Sequence, residues 1–190
     1  MNNLFRELTI PHRPNCDLIE FYHDFTNSVI ATEHKSIPEN KRDKEVVQFL
    51  ADRGLTVMFS ELFYTAPNIQ RNIHIDGNTL GIDLFKLNWI YGAAGSTMKW
   101  YYPEEGYTPS LQPTFAGTYA YSFDKNKCNL LYETEIKHPC IIHAGIPHTV
   151  FNSTNEARWC ISYTIGDSET GCLVKWDSLV IKLENYFITK

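Results

Sequence analysis

What the sequence lacks narrows what the protein can be. No stretch approaches the roughly eighteen consecutive apolar residues of a membrane-spanning helix. The opening residues, Met1-Asn2-Asn3-Leu4-Phe5-Arg6, hold no apolar core of a secretion signal, so a cytoplasmic protein is expected. The five cysteines (Cys16, Cys128, Cys140, Cys160 and Cys172) are odd in number and form no C-x-x-C pair, which reads as reduced thiols. Without secretion, the glycosylation sequon Asn152-Ser153-Thr154 has no consequence. Positive charge is not in excess: 17 Lys and Arg face 22 Asp and Glu, a net charge of −5. That balance excludes a protein that follows nucleic-acid phosphates with a basic face. Internal repeats and low-complexity segments are absent too.

Aromatic side chains are plentiful, at 14% of residues with 11 Tyr and 11 Phe, which suits a β-rich domain with large groups inside. A chain of 190 residues can bury a substantial core as one domain. It reads as a helical preface over 1–54, packed on a sheet, followed by a β domain over 55–190. Residues 1–16 look like an irregular arm or an edge strand. Asp17 can cap a helix through about Val29, with Leu18, Phe21, Tyr22 and Phe25 at three- and four-residue intervals. A linker from Glu33 to Lys41 leads to a second amphipathic helix, roughly Lys44 to Asp52, stopped by Gly54. Strands are then expected at 56–64, 71–76, 84–91, 97–102, 118–123, 130–136, 140–144, 149–152 and 158–165. A further short segment follows at 173–183. Residues 103–117, punctuated by proline and glycine, read as one long loop of the kind that forms lids. Many short strands after a helical preface predict a mainly β fold, a double-stranded β-helix or cupin-like jelly roll.

The chemistry concentrates in two stretches. In Arg71-Asn72-Ile73-His74-Ile75-Asp76-Gly77 the alternation of an extended strand puts His74 and Asp76 on one face, and Ile73 and Ile75 on the other. Far downstream, Pro147-His148 supplies a second imidazole. Two nitrogens and one carboxylate, with coordination positions left open, form the ligand set of a non-haem Fe(II) oxygenase. The plainer reading is a core histidine and an Asp-Gly turn. Arg158 opens the apolar strand Trp159-Cys160-Ile161-Ser162-Tyr163, and an arginine entering a buried strand wants an anion. A planar bidentate cation there suits the carboxylate of a co-substrate, and Ser162 on the same face could add a hydroxyl donor. A structural ion pair is the plainer role for Arg158. His138 and His143 flank Cys140 without a fourth ligand for zinc. His143 reads as an interior strand residue or a partner behind a metal ligand, His138 as a loop residue, and His12, His23 and His34 as solvated.

Together His74-x-Asp76, His148 and Arg158 resemble the Fe(II)- and 2-oxoglutarate-dependent dioxygenases. The run from Pro147-His148-Thr149-Val150-Phe151-Asn152 to Arg158 is similar to the distal half of the aspartyl/asparaginyl β-hydroxylase-like branch. Leu87-Asn88-Trp89-Ile90-Tyr91-Gly92 and Met98-Lys99-Trp100-Tyr101 resemble uncharacterised phage and marine relatives. The likeness covers roughly 55–166. Two features depart from it: the β-hydroxylase branch lacks the carboxylate ligand that Asp76 would supply, and Cys160 stands where other branches have the serine of an arginine-x-serine pair. The resemblance implies Fe(II) on His74, Asp76 and His148, and 2-oxoglutarate as co-substrate with its far carboxylate on Arg158. Lys99 is a second candidate anchor for that carboxylate. Asn88, Trp100 and Tyr101 are candidates for the substrate wall, with core packing the plainer role of the aromatics. Thr97, Lys99 and Tyr101 share one strand face and Met98, Trp100 and Tyr102 the other, so only one set can line a cavity.

Two other classes compete with an oxygenase. One is a cupin-type metalloprotein that does not use 2-oxoglutarate; the other is a non-catalytic jelly-roll binding module whose histidines are merely packed. The substrate is left open between small molecules and peptides, and a homodimer is compatible with a jelly roll of this size.

Overall fold

The computed structural model describes residues 3–15, 17, 32–114 and 119–188. Two antiparallel sheets face each other. The first runs in the order β1 (Phe5–Glu7), β11 (Cys140–His143), β6 (Phe85–Tyr91), β13 (Arg158–Asp167), β3 (Leu55–Thr65) and β2 (Thr32–Ser36). The second runs β10 (Cys128–Glu135), β7 (Thr97–Pro103), β12 (His148–Asn152), β5 (Ile73–His74), β9 (Tyr119–Phe123) and β8 (Ser110–Pro113), with β4 (Ile69–Gln70) also paired to β12. Among the described residues, helices α1 (Lys44–Ala51) and α2 (Trp176–Lys182) accompany the sheets. The arrangement is a jelly roll, a double-stranded β-helix.

The alternation of β13 explains where the core sits. Trp159, Ile161, Tyr163 and Ile165 point to one face of the first sheet. There they join Leu62 and Tyr64 of β3, Leu87 and Trp89 of β6, and the helix residues Val46, Leu50 and Leu179. The main apolar core therefore lies outside the barrel, between the first sheet and the helices that cover it. Arg158, Cys160, Ser162 and Thr164 alternate with that set, so they face the second sheet. All nine residues from 158 to 166 are buried, so the strand is closed on both faces. Inside the barrel a smaller cluster, including Met98, Trp100, Cys140 and Ile142, fills one part and leaves the rest to polar groups.

Helix α1 begins where Asp43 accepts from the Val46 N–H at 3.0 Å, a side-chain N-cap. It ends near Gly54, whose φ of +65° is the left-handed conformation expected of a helix stop. Three expectations need correction. The region 1–54, read as a helical preface, also supplies strands: β1, which fits the edge strand that residues 1–16 offered, pairs with β11, and β2 pairs with β3, making both edges of the first sheet. Strand β2 replaces part of the anticipated linker; its sequence, Thr-Glu-His-Lys-Ser, carries no apolar alternation and is held by pairing to β3. The segment 103–117 is no single loop: β8 forms a hairpin with β9, its four residues all exposed and so giving no hydrophobic signal. The short segment 173–183, to which the sequence assigns no element type, contains helix α2. The helix expected over Asp17 to Val29 lies, beyond Asp17 itself, outside the described residues.

Asn152 ties the turn between β12 and β13. Fully buried, its amide donates to the carbonyls of Ala66 (3.0 Å) and Glu156 (2.7 Å), and its Oδ1 accepts from the N–H (3.1 Å) and hydroxyl (2.8 Å) of Thr154. The Asn152→Ala protein leaves these groups unmatched and is expected to lose about 1–3 kcal/mol. Chemical denaturation of the two proteins checks this, and an unchanged midpoint would show that the turn is held by other contacts.

Candidate metal centre

His74 and His148 meet because their strands are neighbours. β5 pairs with β12 in the register His74 to His148, so both imidazoles leave the second sheet on the same, inward face. Their ring centroids are 4.6 Å apart. Asp76 follows just past the end of β5, where the N–H groups of Ile75 and Asp76 donate to the carbonyls of Tyr121 (3.1 Å) and Ala144 (2.9 Å). Its Oδ1 lies 3.5 Å from His74 Nε2. One ligand atom from each of His74, Asp76 and His148 falls within 4.8 Å of the others, a set compact enough to hold a metal ion. The turn carrying Pro147-His148 packs tightly: a Cβ on Gly145 would stand 1.9 Å from the Ile82 carbonyl oxygen, so only glycine fits.

The hydrogen bonds choose the tautomer. His74 Nδ1 lies 2.8 Å from the Asn72 carbonyl, and His148 Nδ1 2.8 Å from the Ile146 carbonyl. A carbonyl only accepts, so each Nδ1 carries the proton and each Nε2 keeps its lone pair. This is how a metal-binding histidine is oriented from behind. Burial, then the neighbouring His148, pushes the pKa of His74 down to about 3, and burial lowers His148 as well. Both imidazoles are neutral at pH 7. Burial alone would raise Asp76, but the Lys86 ammonium and the two histidines hold it well below the usual carboxylate range.

Lys86, on β6, received no role in the sequence reading, yet it organises the charges. Its Nζ sits 2.7 Å from Asp76 Oδ2 and 2.6 Å from Glu61 Oε2. His34 stands 4.0 Å from Glu61 and stacks on Phe63, so it is half-buried rather than solvated. Arg71 also enters the same cavity, its guanidinium 5.3 Å from the Phe63 ring centroid. The signal for Lys86 was a lysine in a strand, Phe-Lys-Leu-Asn-Trp, whose alternate positions are large and apolar. Arg71 had only its nearness to His74.

Of the remaining candidates, Arg158, Ser162 and Asn88 line this cavity together with the metal-ligand candidates. Arg158 is buried, which lowers its pKa, and forms no ion pair with a carboxylate among the described residues. Ser162 donates to Asn88 Oδ1 at 2.6 Å, so its hydroxyl proton is already committed. The structure places the other three elsewhere. Lys99 faces outward and pairs with Glu133 at 3.0 Å. Tyr101, on that outward face, packs with Ile73, Ile75 and Phe123. Trp100 points inward but packs against Phe5 and Tyr132, which also stack on each other. Met98 is the residue of β7 that reaches the cavity. The remaining histidines are dispersed: His12 bonds Glu45 at 3.2 Å, His143 packs on Phe85 with its Nε2 3.4 Å from the Ile82 carbonyl, and His23 lies outside the described residues. A larger cavity of about 440 Å³ opens elsewhere, between Arg13, Trp89 and His138, and contains none of the metal-ligand candidates.

Fold and site together define a jelly-roll protein with a two-histidine, one-carboxylate cluster inside the barrel. No family model and no curated protein matches the chain. Solved structures resemble it distantly. A 2OG-Fe(II) oxygenase family oxidoreductase from Burkholderia pseudomallei aligns over 70% of this chain and 56% of its own, at 13% identity and TM-score 0.39. An oxalate oxidase in complex with the substrate analogue glycolate aligns over 75% and 57%, at 14% identity and TM-score 0.37. A viral collagen prolyl hydroxylase from Paramecium Bursaria Chlorella virus-1, in a 2OG complex, aligns over 79% and 87%, at 12% identity and TM-score 0.35. The chain spans little more than half the length of the first two. Likenesses this distant fix neither activity nor residue roles. Among the described residues no helix is long and apolar enough to cross a membrane.

The sign of the pH dependence follows from His74. The unfolded imidazole takes up its proton near pH 6.5, the folded one only near pH 3, so the unfolded state binds more protons between these values. The contribution is constant above pH 6.5 and is lost as the pH falls towards 3, with Asp76 acting in the same direction at the acid end. Urea midpoints of the metal-free protein are expected to fall through this window, and less steeply in the His74→Gln protein. Equal slopes would show that His74 is solvated.

Proposed function

We propose that the protein is a non-haem Fe(II)- and 2-oxoglutarate-dependent oxygenase acting on a small-molecule or peptide substrate. One observation carries this reading: two Nε2 lone pairs and the Asp76 carboxylate converge in a cavity that also holds the carboxylate-free guanidinium of Arg158. The residues fit the metal, since neutral imidazoles and an ionised carboxylate are the donors a divalent ion of this type takes. His74, Asp76 and His148 would hold Fe(II), which supplies the oxidising chemistry for hydroxylating a C–H bond. Arg158 would take the far carboxylate of 2-oxoglutarate in a bidentate, charge-assisted pair. Because Ser162 already donates to Asn88, the donor this pair offers the cavity is the Asn88 amide. Phe63, Ile142 and Val150 give the remaining wall an apolar surface that limits water around the reacting groups. A substrate held against such a wall presents one bond to the metal, which is the orientation effect the chain itself contributes.

A second reading is favoured by the size of the cavity. The cavity measures about 30 Å³, room for a water or two rather than a five-carbon diacid. Either lining side chains change rotamer to admit 2-oxoglutarate, or the metal works on a smaller acid without that co-substrate.

Anaerobic addition of 2-oxoglutarate to the Fe(II) protein separates the two. A weak visible charge-transfer band is expected, absent from the His148→Ala protein, and the Arg158→Ala protein should bind 2-oxoglutarate roughly tenfold or more weakly while still binding metal. An iron-loaded protein with no band would move the reading to the smaller acid. Unchanged 2-oxoglutarate affinity in Arg158→Ala would remove that residue from the role.

A further inference from the structure

Among the described residues the Arg71 guanidinium has an aromatic neighbour, Phe63, and no carboxylate of its own. Its backbone is pinned on both sides: the N–H donates to the Val150 carbonyl at 2.9 Å, and its own carbonyl accepts from the Thr149 hydroxyl. The side chain enters the cavity alongside His74, Asp76 and Arg158, with its guanidinium against the Phe63 ring. Among the described residues it forms no ion pair. Asp76, the nearest candidate, has one oxygen beside His74 and the other on Lys86. Glu61 is committed to the same lysine.

The charges around the cavity do not cancel. Three permanent cations, Arg71, Lys86 and Arg158, face two carboxylates, Asp76 and Glu61. The two positive charges of Fe(II) and the two negative charges of 2-oxoglutarate offset each other, so loading the site leaves the same single positive excess. A charge taken out of water needs a counter-charge or a set of hydrogen bonds. A planar guanidinium beside an aromatic ring is shaped for a carboxylate.

We propose that Arg71 binds a carboxylate of the substrate, beside the 2-oxoglutarate held by Arg158 once lining side chains have changed rotamer to admit both, so that the substrate is a small carboxylic acid. The substrate class rests on the oxygenase reading; the anion site at Arg71 does not. Arg71 orients the acid through this contact and leaves the other end of the molecule towards the metal ligands.

The test uses acetate as the probe and the Zn(II)-loaded protein, which is redox-inert, saturated with 2-oxoglutarate. Calorimetry is expected to show one acetate binding to this complex, roughly tenfold more weakly in Arg71→Gln and partly recovered in Arg71→Lys, with 2-oxoglutarate affinity changed little. Acetate affinity that is equal in wild type and Arg71→Gln, or no acetate binding to the loaded wild type, overturns the proposal. If Arg71→Gln fails to fold, the Arg71 Nε–H resonance of the wild type decides. A shift on adding acetate supports the site, and none overturns it. If the wild type does not bind 2-oxoglutarate, the oxygenase reading falls by itself. Acetate titrated into the Zn(II) protein alone, wild type against Arg71→Gln, then still decides whether Arg71 is an anion site.

Discussion

The ion pair between Lys86 and Asp76 is the contact on which the centre depends. A carboxylate inside a barrel tends to take up a proton, because a low-dielectric surrounding disfavours charge. Lys86, bridging Asp76 and Glu61, reverses that tendency and is itself pushed above the ordinary lysine value by the two carboxylates. Asp76 is thereby an anion with one oxygen fixed on the lysine and the other turned towards His74. The backbone carbonyls of Asn72 and Ile146 do the corresponding work for the imidazoles. Each donor of the cluster is set in its charge state and orientation by a partner behind it, before any ion arrives.

The fold makes room for this by putting its apolar weight elsewhere. The largest core lies between the first sheet and helices α1 and α2, so the barrel interior need not supply most of the hydrophobic stabilisation. One strand shows the division. On β13 the large residues Trp159, Ile161 and Tyr163 go to the helix-covered face, while Arg158, Cys160 and Ser162 go to the cavity. The same alternation on β6 places Leu87 and Trp89 outward and Lys86 and Asn88 inward. Glu61, Lys86 and Arg158 sit on strands β3, β6 and β13, each paired to a neighbour on both sides, whereas Arg71 and Asp76 flank the short strand β5.

How much of this was legible follows from period and from distance along the chain. The alternation of Arg158-Trp159-Cys160-Ile161-Ser162 pointed to the cavity-facing set, and His-x-Asp to one shared face. The helix over Lys44–Ala51 followed from its apolar spacing and the glycine after it. Strands β2 and β8 were not legible, because they are edge strands held by pairing, with no buried side of their own to leave a pattern. On β7 the sequence offered two faces and no means of choosing between them. The register of β7 against β12, with Trp100 opposite His148, makes that choice and sends Lys99 and Tyr101 outward. Lys86 and Arg71 were missed because their partners, Glu61 and Asp76 for one and the Phe63 ring for the other, become neighbours only when the strands pair.

Iron K-edge X-ray absorption on the anaerobically Fe(II)-loaded protein tests the central claim most directly. Coordination by both His74 and His148 requires scattering from two imidazoles alongside oxygen ligands, with one imidazole lost in the His148→Ala protein. An all-oxygen environment, or a spectrum unchanged by that substitution, would contradict it and place the iron outside this cluster.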